Sequence, residues 1–216
     1  MTGQLAFTLP LTQAFHRQDF FASATNAAAL AAVDASPRLL LTGPPGCGKS
    51  HLLHIWTRLH NGQIIAADTL PQHLPDLEPG AHVAVDDAQN APQDALFHLF
   101  NILTPTGRLM LTAPTPPQVW ASLPDLASRL QTLPTARLDP PDDALLTAVL
   151  IKLFADRQIT VAPNLIPYLT SRMERSFAAA RHLVNELDAV SLAAARPITR
   201  ALAAEVLDTQ IPMSFQ

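Results

Sequence analysis

The eight residues from Gly43 to Ser50 constrain this chain more than any other part of its sequence. They read Gly-Pro-Pro-Gly-Cys-Gly-Lys-Ser and fit the pattern G-x-x-x-x-G-K-[ST] at every defined position. The apolar run Leu39-Leu40-Leu41 precedes them, and the helix-like segment Ser50–Leu59 follows. In such a strand–loop–helix context, backbone N–H groups and the N-terminus of the new helix surround phosphate oxygens. The motif therefore predicts a phosphate-binding loop.

The residue types of this loop suit the phosphates and the magnesium ion of a bound nucleotide. Glycines let the backbone turn inward around the phosphates. Lys49 is expected to reach the β- and γ-phosphates, and the Ser50 hydroxyl is expected to bind Mg²⁺. The expected cofactors are thus ADP or ATP with Mg²⁺. The candidate nucleotide-binding residues of this segment are Gly43, Pro44, Pro45, Gly46, Cys47, Gly48, Lys49, Ser50 and His51.

Two carboxylates follow a second apolar run, His82-Val83-Ala84-Val85. In a chain with a phosphate-binding loop, this position predicts that Asp86 holds the magnesium ion and that Asp87 orients or activates the attacking water. Aspartate also caps helix N-termini well. A capping role after the strand is therefore the alternative for this pair.

The alternation of segments predicts an α/β fold. Helix-like segments alternate with short apolar strands over residues 23–139, which is typical of a parallel sheet flanked by helices. Residues 142–207 hold only helix-like segments and predict a small all-α lid, and two prolines at 140 and 141 separate the parts. We expect an extended peptide over 1–13, a P-loop domain over 14–139, a lid over 140–209 and a tail over 210–216. The expected strands are Arg38–Thr42, Gln63–Ala67, His82–Asp86, Arg108–Thr112 and Thr132–Leu138, and the expected lid helices are 142–156, 163–173, 176–195 and 199–207.

The composition argues against nucleic acid and membrane as direct partners. Of 216 residues, 48% are hydrophobic and 15% are charged, with a net charge of -4, so a large core is expected. Sequence-independent DNA binding needs several cationic contacts to phosphates, and no Lys/Arg-rich stripe is present, so little direct nucleic-acid binding is expected. We expect a cytoplasmic protein with no membrane partner. The apolar runs are too short for a membrane span, no secretory signal is present, and Cys47 is the single cysteine.

With these motifs the chain resembles the AAA+ ATPases and, within them, the DnaA family of replication initiators. Gly43–Ser50 and Val85-Asp86-Asp87-Ala88-Gln89 are similar to that family's phosphate and magnesium motifs. The segment from Phe15 to Phe21, followed by Asn26, resembles the segment that packs around adenine. This likeness adds Phe21 to the nucleotide-binding residues and implies a P-loop AAA+ core.

Two further segments imply catalytic arginines. Asp125-Leu126-Ala127-Ser128-Arg129-Leu130 is similar to the family's arginine-finger segment and implies that Arg129 acts in trans on nucleotide held by a neighbouring subunit. Ala179-Ala180-Arg181-His182-Leu183 resembles the second sensor and implies Arg181. The family also admits self-association.

The N-terminal residues Gln4-Leu5-Ala6-Phe7-Thr8-Leu9 look like the peptide by which proteins dock on the bacterial sliding clamp. The likeness implies clamp contacts from Gln4, Leu5, Phe7 and Leu9; the alternative is a terminal segment added to a β-edge. Residues Gln210–Phe215 repeat the spacing, and we interpret them as a tail packed on the lid.

An ATPase core with a clamp peptide and without DnaA's DNA-binding domain resembles the regulatory inactivators of DnaA (the Hda type). That resemblance implies two partners, the sliding clamp (the β subunit of DNA polymerase III) and DnaA. It also implies the function, which is to promote hydrolysis of DnaA-bound ATP once replication has started.

One position departs from the family pattern. DnaA-like proteins place a polar sensor residue after the strand Arg108–Thr112, and the aligned residue here is Pro114. Proline cannot hydrogen-bond water or phosphate through its side chain, so weak intrinsic hydrolysis is expected, with Thr112 or Thr115 as alternative sensors. The competing functions are a helicase-loading or transposition-helper ATPase that acts on DNA, and a nucleotide-binding adaptor without turnover.

Overall fold

A computed structural model describes residues 20–23, 25–103 and 106–210. The predicted clamp peptide Gln4–Leu9 lies outside the described residues, as does the tail beyond Gln210. None of the helices in the described ranges is long and apolar enough to cross a membrane.

Five parallel strands form one sheet in the order β2-β3-β4-β1-β5. The strands are β1 (Arg38–Thr42), β2 (Gln63–Ala66), β3 (His82–Asp86), β4 (Arg108–Ala113) and β5 (Thr135–Arg137). The central strands β1, β3 and β4 are apolar almost throughout and buried on both faces, as parallel strands covered by helices must be. The predicted α/β class is confirmed.

Helices cover both faces of the sheet because side chains alternate along each strand. The helices of this part are α1 (Ala27–Ala35), α2 (Lys49–Leu59), α3 (Leu70–His73), α4 (Gln93–Ile102) and α5 (Pro124–Gln131). Leu39 and Leu41 of β1 pack with α1 and α2, whereas Leu40 packs on the opposite face with α3, α4 and α5. Cys47 of the phosphate motif packs in the layer that holds α1 and α2.

The C-terminal part is helical and has its own core, as predicted for the lid. Its helices are α6 (Asp143–Asp156), α7 (Leu165–Thr170), α8 (Phe177–Ala194) and α9 (Arg200–Gln210). Two side-chain caps fix helix starts: Asp142 accepts the Leu145 N–H at 2.7 Å, and Ser176 accepts the Ala179 N–H at 3.0 Å. These caps fix where α6 and α8 begin.

Several predicted boundaries differ from the structure, and α7 is shorter at both ends than the expected 163–173. The last strand begins at Thr135 rather than Thr132, because the Thr132 N–H and hydroxyl both donate to the Arg129 carbonyl and close α5. The pattern that begins at residue 23 predicts a first helix starting near Ser23, whereas that helix begins at Ala27, because the Asn26 side chain accepts the Ser23 N–H in a turn. The last helix runs to Gln210, beyond the predicted 207 and into the predicted tail.

Candidate functional site

The phosphate loop connects the C-terminal end of β1 to the start of α2. Gly46 has φ +73° and Gly48 has φ +105°, a region that residues with a Cβ rarely adopt. The glycines of the motif thus supply the backbone turns that its pattern predicts. Ser50 lies exposed in the first turn of α2, where its hydroxyl is free to meet a cation beside the loop.

Lys49 is buried, and its ammonium group is held at the loop. Its Nζ donates to the Gly43 carbonyl at 2.9 Å and to the Pro44 carbonyl at 3.0 Å. An ammonium group has three N–H donors, and these two bonds leave one donor for an incoming anion. A buried cation held among carbonyl groups fits a bound phosphate, which would complete its pairing.

Cys47 packs beneath the loop. Its side chain is buried, and burial raises the pKa of the thiol, an effect that the Lys49 charge partly opposes. A Cβ on Gly43 would come within 2.9 Å of the Cys47 Sγ. The sulfur therefore fills the space that the missing side chain leaves, which is a packing role.

The carboxylate of Asp86 is oriented by a buried hydroxyl. Thr112 Oγ1 donates to Asp86 Oδ1 at 2.5 Å and accepts the Asp87 N–H at 2.9 Å. Val85 pairs with Leu111 in the sheet, so the next residues, Asp86 and Thr112, stand side by side at the carboxyl ends of β3 and β4. Thr112 thus takes a polar position beside the magnesium motif, although the family pattern aligns Pro114 with the sensor.

Asp87 is exposed and has a left-handed backbone, with φ 50° and ψ 50°. Its side chain makes no capping hydrogen bond to the short helix that follows, so the capping alternative has no support. The Gln89 Nε2 approaches its Oδ1 at 3.4 Å. A non-glycine residue in this conformation is often found at functional sites, and the exposed carboxylate is free to contact water.

The lid touches the phosphate loop at the start of α8. The Phe177 N–H donates to the Gly46 carbonyl at 2.8 Å. The Phe177 ring lies 3.2 Å from the position that a Cβ on Gly48 would occupy. The lid and the loop are therefore in direct contact.

Arg181 lies one helical turn after Phe177, on the same face of α8. Its guanidinium is half-buried, and burial lowers its pKa. Within the described part of the chain it makes no hydrogen bond or ion pair. A half-buried cation without a partner beside a phosphate loop is suited to an anionic ligand.

Arg129 is not brought to the phosphate loop of its own chain. It lies in α5, on the sheet face that carries α3 and α4, and its Cζ is 4.9 Å from the centroid of the Phe97 ring of α4. It has no carboxylate partner among the described residues. Within the described residues the predicted finger therefore lies on an aromatic ring of α4 and forms no hydrogen bond or ion pair with the phosphate loop.

Phe20, rather than Phe21, packs on the phosphate-loop helix. Its ring meets His51 edge-on, with centroids 5.4 Å apart, and it is buried. Phe21 is half-buried, and its carbonyl accepts the Asn26 side chain at 2.9 Å. The sequence does not tell which of two adjacent phenylalanines faces inward, since nothing in their spacing differs.

The described residues contain no group of three or more His, Cys, Asp or Glu side chains able to hold a metal ion by themselves. Magnesium at nucleotide sites is bound through one or two protein oxygens plus phosphates and waters. Ser50 and the Thr112-oriented Asp86 fit that requirement.

Comparisons with known proteins bear on the fold. No family model matches the sequence. Domain III of the replication initiation protein DnaA of Thermotoga maritima superimposes with a TM-score of 0.79 at 19% identity, over 94% of this chain and 100% of that domain. A replication initiator DnaA bound to AMPPCP and single-stranded DNA matches with a TM-score of 0.65 at 17% identity, over 82% of this chain and 66% of that one.

A second class of protein shares the architecture. The RuvB Holliday junction branch migration motor of Thermotoga maritima matches with a TM-score of 0.66 at 17% identity, over 86% of this chain and 66% of the motor. At these identities the likeness concerns the path of the backbone. The chain therefore has the fold of the AAA+ P-loop domains of DnaA and RuvB.

Proposed function

We propose that this chain is a nucleotide-binding AAA+ regulator of replication initiation that promotes hydrolysis of ATP bound to DnaA. The observation that carries the proposal is that the basic residues of the predicted site lie in two different places. Lys49 and Arg181 lie at its own phosphate loop or one turn from it, whereas Arg129 is held elsewhere with no carboxylate partner among the described residues.

The nucleotide is ATP or ADP with Mg²⁺. Lys49 has a donor to spare at the loop, Arg181 has no partner among the described residues, and Thr112 orients the Asp86 carboxylate. Two cations and an oriented carboxylate suit the phosphates and the metal of a nucleotide. Ser50 and Asp86 would hold the magnesium ion, which when bound would offset the negative charge of the phosphates. Phe20 and His51 offer an aromatic surface beside the loop that suits a base.

Arg129 would act on a nucleotide held by another subunit. An arginine finger raises phosphoryl-transfer rates by roughly 10³–10⁵-fold, because its charge offsets the charge of the transition state. The neighbour that fits is DnaA, since a chain with the same fold can take the place of one subunit in a row of like domains. This chain's own nucleotide would then mainly set the position of its lid.

The partner that recruits the chain is the sliding clamp. The proposed contact is the peptide Gln4–Leu9, with apolar side chains in a groove and Gln4 making orienting hydrogen bonds. This peptide lies outside the described residues, so its sequence pattern alone supports this part of the proposal.

A second function has one observation in its favour. Thr112 gives the site a buried polar group that contacts the Asp86 carboxylate and the Asp87 N–H, which an ATPase acting on DNA for itself would also need. The net charge of -4 and the absence of a basic stripe favour the regulator. ATP turnover that rises with added DNA and needs no partner would favour this second function.

The test is a pull-down with DNA-loaded sliding clamp, with and without DnaA, in ATP and in ADP. The proposal expects capture of the chain by the clamp alone and nucleotide-dependent capture of DnaA. Deletion of residues 1–9 should abolish clamp capture and leave nucleotide affinity unchanged. Capture by the clamp that survives the deletion would place the contact elsewhere, with Gln210–Phe215 tested next.

A further inference from the structure

The side chain of Gln93, the first residue of α4, reaches across to the loop before α5. Its Oε1 accepts the Leu123 N–H at 2.7 Å, the Ser122 N–H at 2.9 Å and the Ser122 hydroxyl at 3.3 Å. Its Nε2 donates to the Trp120 carbonyl at 3.1 Å. One amide group therefore ties three residues of the loop to α4.

This loop sets the start of the helix that carries Arg129. Leu123 is the N-cap residue of α5, and no side chain of the cap itself accepts a helix N–H. The helix is only eight residues long, from Pro124 to Gln131. Because so short a helix moves as one piece, an anchor at its first turn fixes the direction in which the finger points.

The same face of α4 holds the arginine itself. Phe97 follows Gln93 by four residues, which places both side chains on one face of the helix. The Arg129 guanidinium lies over the Phe97 ring, where cation and aromatic face attract each other. Gln93 thus holds the beginning of α5, and Phe97 holds the guanidinium group of Arg129.

We infer that Gln93 is a positioning residue for Arg129 in the reaction on the neighbouring subunit's ATP; the inference rests on the proposed function. Displacement of a catalytic group by about 1 Å can cost roughly 10²-fold in rate. Loss of the Gln93 bonds should therefore lower the maximal stimulation by about 10- to 100-fold. Binding of the partner should persist.

The test uses Gln93→Met, which keeps the length of the side chain and removes its hydrogen bonds. The control is Gln118→Met in the same connection, where the glutamine is exposed and forms no hydrogen bond with the described residues. The first measurement needs no partner. In the isolated full chain, the Arg129 Nε–Hε resonance should be shifted by the Phe97 ring, and Gln93→Met should move it toward the value of a free arginine whereas the control should not.

The second measurement is the rate of hydrolysis of DnaA-bound ATP against the concentration of each variant with loaded clamp. Gln93→Met should lower the plateau by about 10- to 100-fold and leave the half-saturating concentration within about twofold, whereas a loss of folded protein would raise that concentration. The inference is overturned if Gln93→Met matches Gln118→Met in both measurements.

The two proposals fail separately. If the parent chain gives no stimulation, the proposed function is wrong, and the resonance of Arg129 still decides whether Gln93 positions it. If Gln93→Met does not fold, Gln93→Glu keeps the acceptor for Leu123 and loses the donor to Trp120. Its plateau should then lie between those of the parent and Arg129→Ala, and a plateau equal to the parent's would overturn the inference.

Discussion

Some side chains of the nucleotide site are oriented by residues that do not belong to the sequence motifs. The sequence predicts Lys49 and Asp86, because their chemistry follows from a local pattern. It does not predict that Thr112 orients Asp86, since that contact follows from the register of β3 against β4. An alignment to a family pattern points to Pro114 instead, two residues away.

Lys49→Ala should weaken the binding of ATP and ADP by at least tenfold. The substitution removes a charge-assisted contact to phosphate, and such bonds are roughly twice as strong as neutral ones. Isothermal calorimetry on both proteins measures the change. Equal affinity in the two proteins would mean that the loop does not bind phosphates.

Thr112→Val should weaken the magnesium-dependent part of nucleotide affinity while the magnesium-free part stays the same. The valine keeps the shape of the buried threonine and removes both the donor to Asp86 and the acceptor for the Asp87 N–H. A buried group left without a partner costs about 1–3 kcal/mol. Titrations with and without EDTA separate the two parts; an unchanged magnesium dependence would assign Thr112 to packing only.

Among the elements, α8 is the one that joins lid and loop. Its first N–H bonds the Gly46 carbonyl, and Ser176 before it packs on the same glycine. The sequence predicts a lid helix over 176–195, but its contact with Gly46 is not predictable, because it brings together residues more than a hundred positions apart.

Gly46→Ala should lower the melting temperature and nucleotide affinity together. An alanine Cβ would lie 2.6 Å from the Ser176 Cβ, and φ is +73° there. The left-handed conformation alone costs roughly 1–2 kcal/mol for a residue with a Cβ, so a fall of several degrees is expected for a chain of this size. Thermal melts with and without ADP measure both effects; a parent-like melting temperature would show that the lid does not sit on the loop.

At the scale of the whole molecule, the pKa shifts of His54 and His60 make the free energy of unfolding depend on pH. Burial lowers the pKa of His54, an effect that the Asp86 charge partly opposes, and burial also lowers the pKa of His60. The unfolded chain takes up these protons near pH 6.5, whereas the folded chain takes them up only at lower pH. Stability is therefore full above about pH 6.5 and declines as the pH falls through the folded values.

Urea unfolding at pH 7.5 and pH 5.5 checks this dependence. The free energy of unfolding should be lower at pH 5.5, and the difference should shrink in the double variant His54→Gln, His60→Gln. Stability that is equal or greater at pH 5.5 would contradict the assignment.

The fold as a whole is predictable from the alternation of apolar strands and helices, and the order of the motifs along the chain indicates its class. The separation of Arg129 from its own loop is not predictable from local pattern, because it follows from α5 packing on α4, on the face away from α1 and α2. That position of Arg129 is the physical basis of the proposal that it acts on a neighbouring subunit.

The most direct measurement is hydrolysis of DnaA-bound ATP in the presence of loaded clamp, with the parent chain, Arg129→Ala and Arg129→Lys. Arg129→Ala should keep the fold, nucleotide affinity and clamp binding and lose the stimulation, by about 10³-fold or more. Arg129→Lys should restore little of it, because the planar fork of donors is lost. If Arg129→Ala stimulates hydrolysis as well as the parent does, Arg129 is a surface arginine and the chain does not supply a finger to DnaA.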